Sequence, residues 1–432
     1  MWLRSVDSTL DAHIDSGNAI KLKEFDHLGW YRKKNGVKML IKWVEEMITD
    51  EEDSAADVNN AMGEASEVDA NTTLRLLKEA AQTKLAGDSP VIAVLVLACD
   101  RVTVGRCLDQ LLKHRPSKRQ FPIVVSRDCD HIETAAVIAS YTGRNVFSLR
   151  QPDQSSIAIP HEKKHLLGYY KVSRHYRWLL NFIFDTVGFD FAIVVEDDID
   201  TAPDFFEYFA ATRKLLERDP SLWCVSAWND NGKSHLVDLE AGALIHRTDF
   251  FPGLGWMLAR KEWARLAPGW PKAFWDDWLR RPEQRLGRAC LRPEISRTRV
   301  FVAYGVSRGY YFEEHIRRVV LSKHFVPFTQ FRLDHLLKDN YDPRFNRTVS
   351  GSPVVTKEQL LRRSITDSGP VRITYGSQYN FRQVAQTFRL MDDVKSGVPR
   401  TAYQGVVTFM YNRVRVYLAP KYSWKGYNYN WS

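Results

Sequence analysis

Long apolar runs are what this 432-residue chain lacks. None approaches the roughly 18 apolar residues that a membrane-spanning helix needs. The opening stretch "MWLRSVDSTLDAHIDSG" has the pattern of neither a signal peptide nor a span, so the expectation from the chain as written is a soluble protein with no membrane span. Cysteine is scarce, with five in all. Cys99 and Cys129 each follow an apolar run; if those runs are neighbouring parallel strands, both thiols lie at one sheet edge, where a disulfide is geometrically accessible. A nucleic-acid signature is also missing. The net charge is +9, but the basic residues are scattered, which favours an anionic small molecule over a polymer. Three sequons, at Asn71, Asn346 and Asn430, fit a secretory lumen but also arise by chance, so composition leaves the compartment open.

What is present is enough apolar material for a sizeable core: 44% of residues are hydrophobic, in a chain longer than one ordinary domain. Two folded domains and an extension are expected. Residues 1–90 read as that extension, passing from a Lys-rich, partly amphipathic stretch to the acidic "DEEDSAADVNNAMGEASEVDA" and then to "TTLRLLKEAAQTKLAG", whose apolar spacing predicts a helix.

After Pro90 five short apolar runs, "VIAVLVLA", "FPIVVS", "NVFSLR", "FAIVV" and "LWCVSAW", alternate with helical patterns. Unbroken apolar strands between helices predict a parallel sheet covered on both faces, which binds ligands beyond the carboxyl ends of its strands. Residues 91–302 are therefore expected to form the nucleotide-binding domain. Its stretch from about 240 to 302, dense in Trp, Phe, Gly and Pro, suits either a rim for a sugar or base or an ordinary aromatic core. Residues 303–338 read as a linker and loop, and 339–432 as a smaller α+β domain.

Three charged motifs fall at the predicted strand ends. "VVEDDID" puts Glu196, Asp197 and Asp198 directly behind a buried run. Alternation would point Glu196 and Asp198 one way and Asp197 the other. Such carboxylates suit a hard divalent cation that also takes diphosphate oxygens, and the cation would relieve their repulsion; solvated or helix-capping acids are the plainer reading. "ACDR" and "SRDCD" bring Arg101, suited to a phosphate or a base, and Asp128, suited to accepting from a base or ribose. Taken individually, a surface ion pair is the more ordinary reading of each.

Together with "APDFFEYF", "SLWCVSAWNDNG", "RTDFFPGLGW", "WPKAFWDDW", "RRPEQRLGRAC", "RPEISRT", "FVPFTQ" and "KSGVPR", these motifs make the chain resemble, over about residues 91–432, the Golgi N-acetylglucosaminyltransferase I enzymes. The resemblance implies an α/β fold: a GT-A type, Rossmann-like nucleotide-sugar domain with a smaller carboxyl-terminal α+β domain. It implies a UDP-GlcNAc donor, an N-glycan acceptor on glycoproteins, Mn²⁺ as cofactor, and residence in the Golgi lumen or membrane, although neither anchor nor signal is seen in this sequence. On these residues it implies Asp198 as metal ligand, Arg101, Asp128, His175, Ser307, Glu196 and Asp197 on the donor, and Asp276 as catalytic base with Asp277 its rival. It also implies disulfides Cys99–Cys129 and Cys224–Cys290, with Cys107 free and buried.

The implied reaction inverts the anomeric carbon in one displacement, with a base drawing the proton from the attacking mannose hydroxyl. The loop "VAYGVSRGYYFEEH" around Ser307 is expected to order over bound donor. The alternatives are transfer to O-linked mannose of proteins, a catalytically silent sugar-nucleotide-binding relative, and metal-dependent phosphoryl hydrolysis, for which no further motif is present.

Overall fold

Strand β1 (Ile92–Ala98) is buried at every position, and its alternate residues serve two different cores. Ile92, Val94 and Val96 belong to one apolar cluster, while Ala93, Leu95 and Leu97 belong to a second on the opposite face. A strand covered on both sides has no polar face to show, which is why the run is unbroken in the sequence. The computed structural model describes residues 70–85, 90–306, 309–362 and 369–431. The stretches read as amphipathic and acidic before residue 70, and Ser307, lie outside the described residues.

β1 pairs in parallel with β2 (Ile123–Arg127) and with β4 (Phe191–Glu196), and β2 with β3 (Val146–Arg150). The connections are the expected helices: α2 (Val104–His114), α3 (Ile132–Ala139) and α4 (Leu167–Asn181). The helix before β1, α1 (Ala70–Ala81), buries Leu77 completely in the second cluster. Full burial of a leucine contributes about 1.5–3 kcal/mol. α1 therefore belongs to the compact unit that begins at Ala70 rather than to a loose extension.

The sheet is not all-parallel. Eight strands stand in the order β3-β2-β1-β4-β8-β6-β9-β7. Here β6 (Leu222–Ser226) follows β5 (Ile199–Thr201) and helix α5 (Phe205–Arg218). β7 (Ile245–Thr248), β8 (Trp256–Ala259) and β9 (Ala289–Pro293) come from the aromatic stretch read as a rim or a core. β8 is antiparallel to both β4 and β6, and β7 to β9. At four residues each, β7 and β8 are too short for a legible period. Four tryptophans of the aromatic stretch, Trp256, Trp263, Trp270 and Trp275, are buried in the core, while Phe274 is exposed.

α5 begins directly after "APD", but the Asp204 side chain does not cap it. Its carboxylate is 3.0 Å from Arg297, both side chains fully buried. Arg297 lies just before β10 (Thr298–Val300), which pairs with β5. Removing one partner of such a pair costs about 3–5 kcal/mol.

Short helices α6 (Arg260–Leu266), α7 (Trp275–Leu279) and α8 (Pro282–Arg285) lie between β8 and β9. α9 (Lys338–Gly351) and α10 (Lys357–Leu361) lead to a carboxyl-terminal sheet. In that sheet β11 (Val371–Tyr375) is parallel and β14 (Val407–Tyr411) antiparallel to β15 (Val414–Pro420). Helix α11 (Gln378–Thr387) and a hairpin of β12 (Val394–Lys395) and β13 (Val398–Pro399) stand between β11 and β14. Their core takes in Leu236 and Phe250 from the segments flanking β7. No helix among the described residues is long and apolar enough to cross a membrane.

Candidate active site

The carboxyl ends of β1, β2 and β4 form one wall because the ladder runs a step beyond the strands. The Asp128 N–H donates to the Ala98 carbonyl and the Asp197 N–H to the Leu97 carbonyl, each at 3.1 Å. Cys99 and Cys129 are joined across this edge at a Cα separation of 5.1 Å. Cys224 and Cys290, paired on β6 and β9, are joined at 4.7 Å. Cys107 is free and buried, so the cysteine pattern implied by the family resemblance is present.

The three acids do not alternate as a continuing strand would place them. β4 ends at Glu196 and the chain turns at residues 197–198, which lets two adjacent aspartates meet one guanidinium. Arg101 lies 2.8 Å from Asp197 Oδ1 and 3.0 Å from Asp198 Oδ2. Glu196 Oε1 instead accepts from the Tyr176 hydroxyl at 2.9 Å.

Burial is the largest influence on all three acids. It raises the Glu196 carboxyl to about 7, helped by Asp198. It raises Asp197 to about 7 against the opposing Arg101, and Asp198 above the ordinary range against the same arginine. Asp128, also buried, is raised to about 6, opposed by Arg174 and Lys171. His175 Nε2 lies 2.6 Å from Ser126 Oγ. Burial lowers that imidazole to about 3, so it is neutral.

Two oxygens on this wall, Asp198 Oδ1 and Asp128 Oδ1, are buried with no hydrogen-bond partner. A buried, unsatisfied carboxylate oxygen is costly, and each is suited to an incoming cation or donor. Among the described residues no group of three or more His, Cys, Asp or Glu side chains stands together as a metal cage. The unpartnered Asp198 Oδ1 is the kind of oxygen that suits a hard divalent ion.

The facing wall is built on an aromatic stack. Trp275 lies against Tyr176 with ring centroids 4.2 Å apart and also stacks with Trp256 and Trp270. The residue before it, Phe274, has φ of 55°, a left-handed conformation that is unfavourable for a bulky side chain. Its ring stacks on Tyr169 at 4.5 Å. Packing on both sides of this strained corner sets where α7 starts, and so where Asp276 and Asp277 project.

The buried Arg280 holds both of these acids through one Nη1, at 2.7 Å from Asp276 Oδ2 and 2.8 Å from Asp277 Oδ1. Lys395, from the β12–β13 hairpin, lies 3.3 Å from Asp277 Oδ2. Although burial opposes it, these two cations hold the Asp277 carboxyl below the usual range, Arg280 being the stronger.

Both walls line one cleft of about 1030 Å³, at the upper end of the usual range for small-ligand sites. Arg101, Asp128, His175, Glu196, Asp197, Asp198 and Asp276 all border it. Gly305, Val306 and Gly309, which flank Ser307 in the chain, border it too. Sequence reading missed Tyr176, Arg280, Lys395 and Arg400, all cleft residues. Arg280 had a signal, since it stands four and three residues beyond Asp276 and Asp277 on a helix. Lys395 and Arg400 bound the "KSGVPR" motif, but at over a hundred residues from Asp276 and Asp277 nothing in the sequence signalled that they meet in one cleft.

The GNT-I family pattern matches residues 35–431 of the chain. An Arabidopsis thaliana protein named alpha-1,3-mannosyl-glycoprotein 2-beta-N-acetylglucosaminyltransferase is 37% identical over 346 residues, spanning 78% of this chain and 76% of that protein. Among solved structures, a mannosyltransferase from Pyrobaculum calidifontis in complex with GDP-Man and Mn²⁺ aligns at 13% identity and a TM-score of 0.33, covering 50% of this chain and 60% of that one. The S. aureus TarS fragment 1–349 aligns at 14% and 0.34, covering 69% and 81%. At such distances neither likeness bears on function.

Proposed function

The chain belongs to the GNT-I family, and on that premise we propose that it moves GlcNAc from UDP-GlcNAc, in β1,2 linkage and with inversion, to the α1,3-linked mannose of a high-mannose N-glycan in the Golgi lumen. One observation carries the reading: a single cleft joins buried acids at a sheet edge to a half-exposed aspartate, Asp276, on the facing wall.

In this reading the donor lies along the sheet edge. Asp128 accepts from the uridine, while Arg101, released from the acids, takes a phosphate. His175, Glu196, Asp197 and Ser307 complete the donor contacts. Asp198 holds the divalent ion, Mn²⁺ in this proposal, which when bound stabilises charge on the departing diphosphate.

Asp276 has one oxygen fixed by Arg280 and a side chain about 40% exposed. In this reading it accepts the proton of the attacking hydroxyl as the new bond forms on the face opposite UDP. A single displacement needs no covalent enzyme intermediate, and the logic parallels that of the base in inverting glycosidases. Arg280 keeps that carboxylate oriented, and the aromatic stack fixes the turn that carries it.

The test is incubation with UDP-GlcNAc, Mn²⁺ and a high-mannose N-glycan, with the product linkage read by NMR. A β1,2-linked GlcNAc on the α1,3-mannose is expected. No transfer, transfer only to O-linked mannose, or transfer undiminished in Asp276→Ala contradicts the proposal.

A further inference from the structure

The cleft has a wall that the donor and the base do not account for. It is supplied by the β12–β13 hairpin, far along the chain from every sheet-edge motif. Ser396 and Gly397 at its tip both have positive φ, 47° and 82°, the two-residue turn that suits the twist of an antiparallel pair.

Two contacts fix the hairpin. The Gly397 N–H donates to the Trp431 carbonyl at 2.9 Å. A Cβ on Gly397 would stand 2.5 Å from the Asn428 carbonyl oxygen, so the carboxyl-terminal strap lies directly on the turn. At the base of the hairpin, the buried Arg400 pairs with Asp230 at 2.6 Å and Asp393 at 2.7 Å. Lys395 is therefore presented to the cleft from a rigid support.

Lys395 carries three N–H donors, and among the described residues its only ion pair is the one with Asp277 Oδ2 at 3.3 Å. Its side chain is about a third exposed, at 36%. Asp277 in turn shares Arg280 Nη1 with Asp276, which puts Lys395 three ion-pair links from the base. A sugar hydroxyl touching Asp276 brings the neighbouring hydroxyls of its ring to this pair. An ammonium beside a carboxylate offers one donor and one acceptor, the match for two adjacent hydroxyls.

We propose that Lys395 and Asp277 form the acceptor subsite: Lys395 donates to, and Asp277 accepts from, hydroxyls on the mannose ring whose own hydroxyl attacks. This rests on the functional reading above and goes beyond it by naming the groups that recognise the acceptor.

The experiment separates the two substrates. Lys395→Met is compared with the wild-type enzyme for acceptor KM with a high-mannose glycan, for kcat, and for UDP-GlcNAc affinity by calorimetry in Mn²⁺. Loss of a charged hydrogen bond is expected to raise the acceptor KM about ten- to a hundredfold, with the change falling on KM rather than kcat and with donor affinity retained. Lys395→Arg, which keeps charge and donors, is expected to recover part of the loss.

An unchanged acceptor KM overturns the inference while leaving the transferase reading intact. Weakened UDP-GlcNAc binding also overturns it, by assigning Lys395 to the diphosphate. A fall in kcat alone, with both affinities kept, reduces Lys395 to a brace for Asp277. Absence of transfer by the wild-type enzyme defeats the functional reading itself, and this inference with it.

Discussion

The cleft contains two adjacent aspartate pairs, each gripped by one arginine, with burial reversed between them. In the sheet-edge pair the acids are hidden, their side chains 2% and 13% exposed, and Arg101 is the more exposed partner at 30%. In the α7 pair the acids are open, at 40% and 38%, and Arg280 is the hidden partner at 7%. The same three charges therefore do different work. Burial raises both carboxyls, Asp197 to about 7 and Asp198 in the same direction, and a cation or an arginine beside them favours their ionised form. The open pair stands on a buried guanidinium, which with Lys395 holds the Asp277 carboxyl below the usual range although burial opposes it.

Breaking each pair in turn tests this division. The largest effect is expected from Asp276→Asn, which keeps the shape and removes the base: kcat should fall about 10²- to 10⁴-fold, checked by single-turnover transfer. Asp198→Asn should come next, lowering transfer at fixed Mn²⁺ by about 100-fold through the several kcal/mol a bound ion supplies. Partial recovery at high Mn²⁺ would sharpen the assignment.

Arg280→Met addresses stability. Its Nε–H donates to the Phe251 carbonyl at 3.1 Å and its guanidinium lies 4.8 Å from the Phe250 ring centre. Loss of these contacts should cost about 1–3 kcal/mol, read from denaturant midpoints. Arg101→Met should cost less near pH 5, where Asp197, raised to about 7 by burial, is protonated, and more as pH rises and that acid must ionise without a counter-charge.

The smallest effect concerns pH. Burial holds the Asp128 proton to about 6, and a protonated carboxyl is a poor acceptor for a base or ribose donor. UDP affinity should rise with pH up to tenfold per unit below about pH 6 and level off above about pH 7. Calorimetry at several pH values checks this, and Asp128→Asn should flatten the profile.

The same contrast governs what could be read from the sequence. Strands β1, β2 and β4 are buried on both faces, so their apolar runs and the acids behind them were legible, as was the Cys99–Cys129 edge. The facing wall was named only through family resemblance. Its strands are four residues long, and its aromatic stretch reads equally as rim or core. Its cations arrive by tertiary contact, Lys395 being 118 residues from Asp277. The turn at residues 197–198 was missed because alternation predicts side-chain direction only while a strand continues.

The central claim is that donor binding and proton removal belong to different aspartate pairs. Calorimetric titration of UDP-GlcNAc in Mn²⁺ into Asp276→Asn and Asp198→Asn tests it most directly. The account predicts wild-type affinity in Asp276→Asn and largely lost binding in Asp198→Asn; the opposite pattern, or equal loss in both, contradicts it.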